Sequence, residues 1–269
     1  MPGETLDLTR PRRNLFDYPG KKKYLYPVKS PGYHMLKASL FLLLFIPLTG
    51  VIAASALVST LADATGRLYY RHAVLWARLS LLLAGVRVVV EGREKVPVAS
   101  PVIFMSNHQS NFDILALFLA IPGQFSWIAK EELFRIPVFG HSMSRAGYIP
   151  LDRSDGRRAL KSMDAAARRI RNGESVVIFP EGTRTVDGSL LPFKQGGFLL
   201  AGKAGVPVVP VTINGSGKIN PSKRLELRSG VIRISFSDPL LPSGSAPQER
   251  ERLMQRVQDA IGAVLEAGT

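Results

Sequence analysis

The sequence predicts an α/β fold, a mixed central sheet flanked by helices, with an N-terminal membrane-associating helical segment. Three observations carry that prediction. From residue 86 onward, short apolar runs alternate with amphipathic helical stretches, the pattern of a buried sheet covered by helices. Residues 38–62 contain no charged side chain. The chain has 269 residues, enough for one sizeable core with an appendage.

Residues 1–37 read as a basic arm with eight cations, among them Lys21-Lys22-Lys23, and three anions, a net charge of +5. Its plain reading is a solvated tail. Its functional reading is an electrostatic tether to anionic lipid, worth about 1 kcal/mol per cation near the surface. Residues 38–85 read as the membrane-associating segment. The uncharged block is 25 residues long, against about 20 needed to span a bilayer as helix. Pro47 and Gly50 are expected to kink or break it. A secretory signal with Ala54-Ser55-Ala56 as cleavage site competes poorly, because 37 residues precede the block. A buried soluble helix competes poorly as well, because such helices are rarely free of charge for so long. Both flanks are basic, with Lys29 and Lys37 before and Arg67, Arg71 and Arg78 after, so positive charge sets no orientation. One span and a two-helix hairpin dipping into one leaflet stay open. In the hairpin a second helix over about 66–85 carries Leu68, Leu75, Trp76, Leu79 and Leu83 on one face.

Residues 86–269 read as the α/β domain. Strands are expected at 86–90, 101–105, 125–128, 175–179, 208–213 and 231–236, where β-branched and aromatic residues cluster between turn signals. Helices are expected over about 113–120, 132–144, 156–172 and 195–204. The third of these places Leu160, Met163, Ala167 and Ile170 on one face and stops near Asn172-Gly173. Two prolines in the 208–213 region, Pro207 and Pro210, point to an edge strand or a bulge. A closing helix carries Leu253, Val257, Ile261 and Leu265, with Ser245 as N-cap and Pro247 in the first turn.

Composition narrows the chemistry. There is no cysteine, which excludes disulfides, thiol catalysis and Cys-based metal sites. The net charge is +14, which calls for an anionic partner: nucleic acid, an anionic membrane surface or a phosphorylated substrate. The basic 156–172 helix interleaves few aromatics with its cations, unlike a nucleic-acid platform. No acidic cluster and no His pair at metal spacing occurs. Gly215-Ser216-Gly217-Lys218 is half a phosphate loop, but Thr212 and Ile219 break the pattern.

Four segments look unlike scaffold. Ser106-Asn107-His108-Gln109-Ser110-Asn111-Phe112-Asp113 puts six polar residues between an apolar strand and an apolar helix. His108 and Asp113 can meet only if His108 is in the loop and Asp113 in the first helical turn. They are then either a general base with its orienting carboxylate, or a loop histidine beside a Ser110–Asp113 capping pair. Phe179-Pro180-Glu181-Gly182-Thr183-Arg184 also follows a strand, with a tight turn, a hydroxyl and a guanidinium suited to phosphate. Its plainer reading is a strand exit with a surface Glu–Arg pair. A third region carries Lys130 and Arg153 at the ends of candidate strands, within Lys130-Glu131-Glu132 and Gly147-Tyr148-Ile149-Pro150-Leu151-Asp152-Arg153. By itself this is a solvated charge set. The fourth, Val206-Pro207-Val208-Val209-Pro210-Val211, speaks of structure.

Together and in this order, Asn107-His108-x4-Asp113, Gly147–Arg153, Phe179–Arg184 and Val206–Val211 resemble the motif blocks of the glycerolipid acyltransferase HxxxxD/EGTR family over about residues 85–240. The likeness is greatest to members that acylate lysophosphatidic acid to phosphatidic acid. The resemblance implies an O-acyltransferase in which His108 takes the proton of the acceptor's sn-2 hydroxyl and Asp113 orients His108. It implies a phosphate site of Gly182, Thr183, Arg184, Lys130 and Arg153, with Glu181 in the same set chiefly shaping the turn. It implies acyl-CoA or acyl-carrier protein as co-substrate, no cofactor and no metal. The charge partition and the uncharged block, apart from the resemblance, lead us to expect a membrane location with the site facing the cytoplasm, an anionic membrane surface as partner and no nucleic acid. Another lysolipid such as a lyso-ornithine lipid, or glycerol 3-phosphate, is the alternative acceptor. A membrane-anchored nucleic-acid-binding module is the alternative from a different class.

Overall fold

The computed structural model describes residues 30–63, 65–136, 139–151 and 156–266. Residues 1–29, which hold most of the basic arm, and Arg153 lie outside the described residues.

Helices α1 (Pro31–Ser59) and α2 (Arg67–Ala84) pack as an antiparallel pair. Helix α1 starts earlier than the uncharged block, so the last seven residues assigned to the arm are helical. The reason is Lys37, whose ammonium donates to the Ala84 carbonyl at 2.7 Å and to the Ser229 hydroxyl at 2.5 Å. It satisfies a carbonyl that the end of α2 leaves open. The expected break at Pro47 and Gly50 does not occur. Phe45 and Thr49, on either side of Pro47, both grip the Trp76 indole, the ring at 5.8 Å and the hydroxyl by a 2.9 Å hydrogen bond. Among the described residues, α1 is the one helix long and apolar enough to cross a membrane. Its side chains face outward, with Leu43 69% exposed and Ile46 65% exposed.

The sheet has seven strands: β1 (Val86–Glu91), β2 (Ile103–Ser106), β3 (Phe125–Lys130), β4 (Ile149–Leu151), β5 (Ser175–Ile178), β6 (Val208–Asn214) and β7 (Gly230–Phe236). Their spatial order is β1-β7-β6-β2-β5-β3-β4. Every neighbouring pair is parallel except β6–β7, so the sheet is mixed, as expected. Side chains alternate across it. Phe104 enters a core shared with α2 and with α3 (Phe112–Ala120). Ile103 and Met105 enter the opposite core, closed by α6 (Gly156–Arg171), α7 (Gln195–Ala204) and α9 (Pro247–Gly262).

Several elements differ from expectation. The helix expected over 132–144 is two short ones, α4 (Glu131–Phe134) and α5 (Phe139–Arg145), with Pro137 between them. Strand β4 is a three-residue piece inside the Gly147–Arg153 block, too short to show as an apolar run. Strand β6 is central and wholly buried, so the edge reading of its prolines fails. The bulge reading catches the cause. The antiparallel ladder pairs Val211 with Phe236, then resumes one residue out of step as an isolated Val208–Leu240 bridge. Pro210, which has no N–H to donate, sits at that slip. Leu160 is exposed, and Ala166, Ala167 and Ile170 form the buried face of α6. Ala246, not Ser245, is the N-cap of α9.

What positions the site is the direction of the parallel strands. Strands β2, β3, β4 and β5 all end on one edge, at Ser106, Lys130, Leu151 and Ile178. Ligand sites in open α/β sheets form outside such carboxyl ends.

Candidate active site

Strand β2 ends at Ser106 and hands the chain to a loop in which nearly every polar group is committed. The Asn107 side chain acts like a strand neighbour to β6, its amide donating to the Ile213 carbonyl at 2.9 Å and its oxygen accepting the Ile213 N–H at 2.7 Å. Ser110 donates its hydroxyl to the Asn220 carbonyl at 2.9 Å, and the same oxygen accepts the Phe112 N–H at 3.2 Å. Ser106 donates to the Asn107 carbonyl.

His108 and Asp113 meet. The Nδ1 of His108 is 2.8 Å from Oδ2 of Asp113. The same carboxylate oxygen accepts the N–H of Gln109 at 2.7 Å and of Ser110 at 2.9 Å. Asp113 closes the turn and holds the ring with a single atom. Its side chain is fully buried, while that of His108 is 15% exposed. An ionised carboxylate only accepts, so Nδ1 is the donor in this contact, and in the neutral ring the lone pair is on Nε2. Nε2 has no hydrogen-bond partner among the described residues. The ring stacks on Phe179, 3.9 Å between centroids and 11° between planes, and Phe179 stacks in turn on Trp127.

The Phe179–Arg184 segment, which runs out of β5, completes the clamp. Glu181 is buried. One of its oxygens accepts the His108 N–H at 2.6 Å and the other accepts the Leu191 N–H at 2.8 Å. Burial pushes its carboxyl above the ordinary carboxylate range, and the two backbone N–H groups pull it back part of the way. Just past the segment, the Thr185 N–H donates to the His108 carbonyl at 2.9 Å. His108 is thus held at its N–H, its carbonyl and its ring. Both oxygens of Glu181 are spent on backbone, so it works as a strut of the turn.

The outer part of the segment is open. Gly182 has φ +69°, a conformation that costs a residue with a Cβ about 1–2 kcal/mol. Thr183 is exposed and Arg184 half-buried. The Arg184 guanidinium donates to the Asn111 side-chain oxygen at 2.7 Å, which brings it to the first turn of α3, two residues from Asp113. The stem of Lys194 lies over Gly182, so near that a Cβ there would stand 2.9 Å from its Nζ. That ammonium pairs with no described residue. Lys130 closes β3 on the same edge of the sheet.

Sequence reading missed Asn111, Thr185, Lys194 and Phe179 as a stacking partner. Each acts through contacts across roughly 70 residues or more of chain, or across a turn, and leaves no local pattern. A cleft of about 300 Å³ opens beside the loop, lined by Gln109, Asp187, Lys218 and Arg228 among others. Among the described residues no cluster of three or more His, Asp or Glu could hold a metal. Helix α1 reaches the site from the side, where Phe41 meets Phe112 at 5.7 Å between ring centroids.

Comparison with known proteins adds three findings. A family model described as Acyltransferase matches residues 87–214, which contain both motif loops. The 1-acyl-sn-glycerol-3-phosphate acyltransferase BAT2 of Brassica napus is 40% identical over 173 residues, covering 64% of this chain and 50% of that protein. The 1-acyl-sn-glycerol-3-phosphate acyltransferase alpha of Homo sapiens is 35% identical over 189 residues, covering 68% of this chain and 67% of that protein. The chain spans about half the length of the first plant and algal relatives it matches. The crystal structure of the 1-acyl-sn-glycerophosphate acyltransferase PlsC from Thermotoga maritima superposes with a TM-score of 0.72 at 24% identity, covering 86% of this chain and 97% of that one. That likeness bears on the fold.

Proposed function

We propose, from the premise that this chain belongs to the acyltransferase family of the 1-acyl-sn-glycerol-3-phosphate acyltransferases, that it transfers a fatty acyl group to the sn-2 hydroxyl of lysophosphatidic acid and releases phosphatidic acid. The donor is acyl-CoA or acyl-carrier protein. The observation that carries the reading is the His108–Asp113 pair clamped between Glu181 and Thr185.

The acceptor hydroxyl gives its proton to His108 Nε2 as its oxygen attacks the thioester carbonyl. Asp113, on Nδ1, keeps the ring in the tautomer that accepts and stabilises the imidazolium that forms. The tetrahedral intermediate collapses, the C–S bond breaks, and the leaving thiolate takes the proton from His108. A positioned base of this kind contributes roughly 10²–10⁴-fold in rate. The attack is direct. The chain has no cysteine, and the hydroxyls of Ser106 and Ser110 both donate to backbone carbonyls, so neither passes its proton to His108.

Arg184, with the Gly182–Thr183 turn and Lys130, binds the acceptor phosphate, and Lys194 adds positive charge over Gly182. Arg153 belongs to the same set by its place in the Gly147–Arg153 block. Residue types suited to an anion and a base for a hydroxyl stand on one edge of the sheet, which suits an acceptor carrying both groups. The length and apolar character of helix α1 support a membrane location, read here as an anionic surface with the site on the cytoplasmic side where the donors are made. The Phe41–Phe112 contact brings the apolar helix to the loop that holds the base, where the acyl chains of both substrates have an apolar surface.

The test is thiol release in detergent micelles. With no cysteine in the chain, a thiol reagent reads free CoA alone. Acyl-CoA is offered with lysophosphatidic acid, with glycerol 3-phosphate, with a lyso-ornithine lipid and with lysophosphatidylcholine. The expected result is turnover with lysophosphatidic acid at least tenfold above the others. Faster turnover with another acceptor would reassign the substrate, and no turnover with any acceptor, from acyl-CoA or from acyl-carrier protein, would remove the activity.

A further inference from the structure

The opposite edge of the sheet carries a second basic site. A groove of about 540 Å³ runs between α2 and the far end of α3, lined by Arg67, Arg71, Arg78, Arg93, Tyr70 and Phe118 among others. It lies roughly 12 Å along α3 from Asp113, at 1.5 Å per residue, so it is separate from the loops that hold His108 and Arg184.

Two observations mark it as built for an anion. The four guanidinium groups make no hydrogen bond or ion pair with a described residue, whereas Arg169, Arg228, Arg233 and Arg252 elsewhere each face a carboxylate. The Tyr70 hydroxyl is buried and has no hydrogen-bond partner among the described residues, although its ring is fixed against Phe118 and Phe125. A buried hydroxyl left unpaired is costly, and an acceptor oxygen bound in the groove would relieve that cost.

The surroundings say which anion. Leu68, Leu75 and Leu82 stand exposed along α2 at 36%, 47% and 72%. Seven residues apart, they form one stripe. Arg67, Arg71 and Arg78 run beside it, roughly 40–80° round the helix. A basic groove bordering an exposed apolar stripe fits a ligand with a phosphate at one end and hydrocarbon at the other. We infer that this groove binds the phosphate headgroup of an anionic membrane phospholipid, with the lipid's chains along the α2 leucines. The inference rests on the membrane reading of α1 and α2 and not on acyl transfer, and its test measures no turnover.

The full chain in nonionic detergent micelles is melted with dihexanoyl-phosphatidylglycerol, with dihexanoyl-phosphatidylcholine and with inorganic phosphate. Phosphatidylglycerol is expected to raise Tm by about 2–4 °C, and the other two by less than a quarter of that. The double variant R71Q/R93Q should lose the shift and Tyr70→Phe about half of it, while Arg184→Ala keeps it in full. If R71Q/R93Q does not fold, Tyr70→Phe decides. An equal shift with phosphatidylcholine or with phosphate overturns the inference. So does a shift left at its full size in the variant that folds, or one that Arg184→Ala abolishes.

Discussion

His108 and Arg184 lie on adjoining loops, yet the protein holds them in different ways. His108 is fixed by three partners, all of them buried or backbone: Asp113 on the ring, Glu181 on its N–H and Thr185 on its carbonyl. Arg184 has one described partner, the exposed Asn111, and its neighbours Thr183 and Lys194 stand in solvent. The difference fits the role proposed for each. A proton transfer needs its atoms placed to a fraction of an ångström, so the base is preorganised. Recognition of a phosphate by charge tolerates movement, and long exposed cations can close on it after it arrives.

The largest effect that can break this contrast comes from Asp113. In Asp113→Asn one oxygen must still serve two backbone N–H groups while the amide disturbs the ring tautomer. We expect kcat to fall about 10²-fold or more and stability to fall by about 1–3 kcal/mol, read by steady-state kinetics and a urea melt. A loss of kcat below threefold would mean that the pair is only a cap. Glu181→Gln comes next. Its amide can accept one of the two N–H groups now bound, so a buried donor is left open, at a cost of about 1–3 kcal/mol. Because Glu181 touches no reacting group, kcat should suffer only through displacement of His108, by less than in Asp113→Asn. Arg184→Gln should raise KM for a phosphorylated acceptor about tenfold, with little change for the acyl donor, as a hydrogen bond to a charged group is worth about 1.5–3 kcal/mol. Equal changes for donor and acceptor would remove Arg184 from the phosphate site.

The smallest effect contrasts two carboxylates six residues apart. Asp187, on the exposed side, is lowered to about 2, first by the Ser189 hydroxyl, then by the Ser189 N–H and the Thr185 hydroxyl. Its folded value lies below its unfolded value, so its stabilisation is present above about pH 4 and lost as pH falls through about 2. Glu181 is shifted the other way by burial, so its contribution is largest at low pH and declines as pH rises through its folded value. Melting curves between pH 2 and 5 should show Asp187→Asn losing less stability on acidification than the parent. An identical slope would mean the turn bonds are absent in solution.

Much of this molecule is legible in its sequence, for reasons that differ by part. The strands that line the two cores are apolar runs of β-branched residues, and six of them show as such. Strand β4 does not, because three residues carry no period. His108, Asp113 and Arg184 stand out as polar groups where apolar strands end, and Asp113 has the right offset for the first turn of α3. The sequence offers two roles for Asp113 as alternatives, because it cannot show that one oxygen performs both. Glu181 shows only as part of a turn. That its two oxygens bind the backbones of His108 and Leu191 is a tertiary fact 73 residues from the loop it steadies. The helical start of α1 before residue 38 likewise depends on Lys37 reaching Ala84 and Ser229, contacts to which no local pattern points.

Direct attack by the acceptor hydroxyl, with His108 as base, is open to a single experiment in which the protein is mixed with acyl-CoA alone. Thiol release and intact mass are followed before and after lysophosphatidic acid is added. Direct attack gives no burst of CoA, no mass gain of one acyl group, and turnover that begins on adding the acceptor and is lost in His108→Ala. A burst of one equivalent of CoA with an acyl group retained on the protein would contradict it.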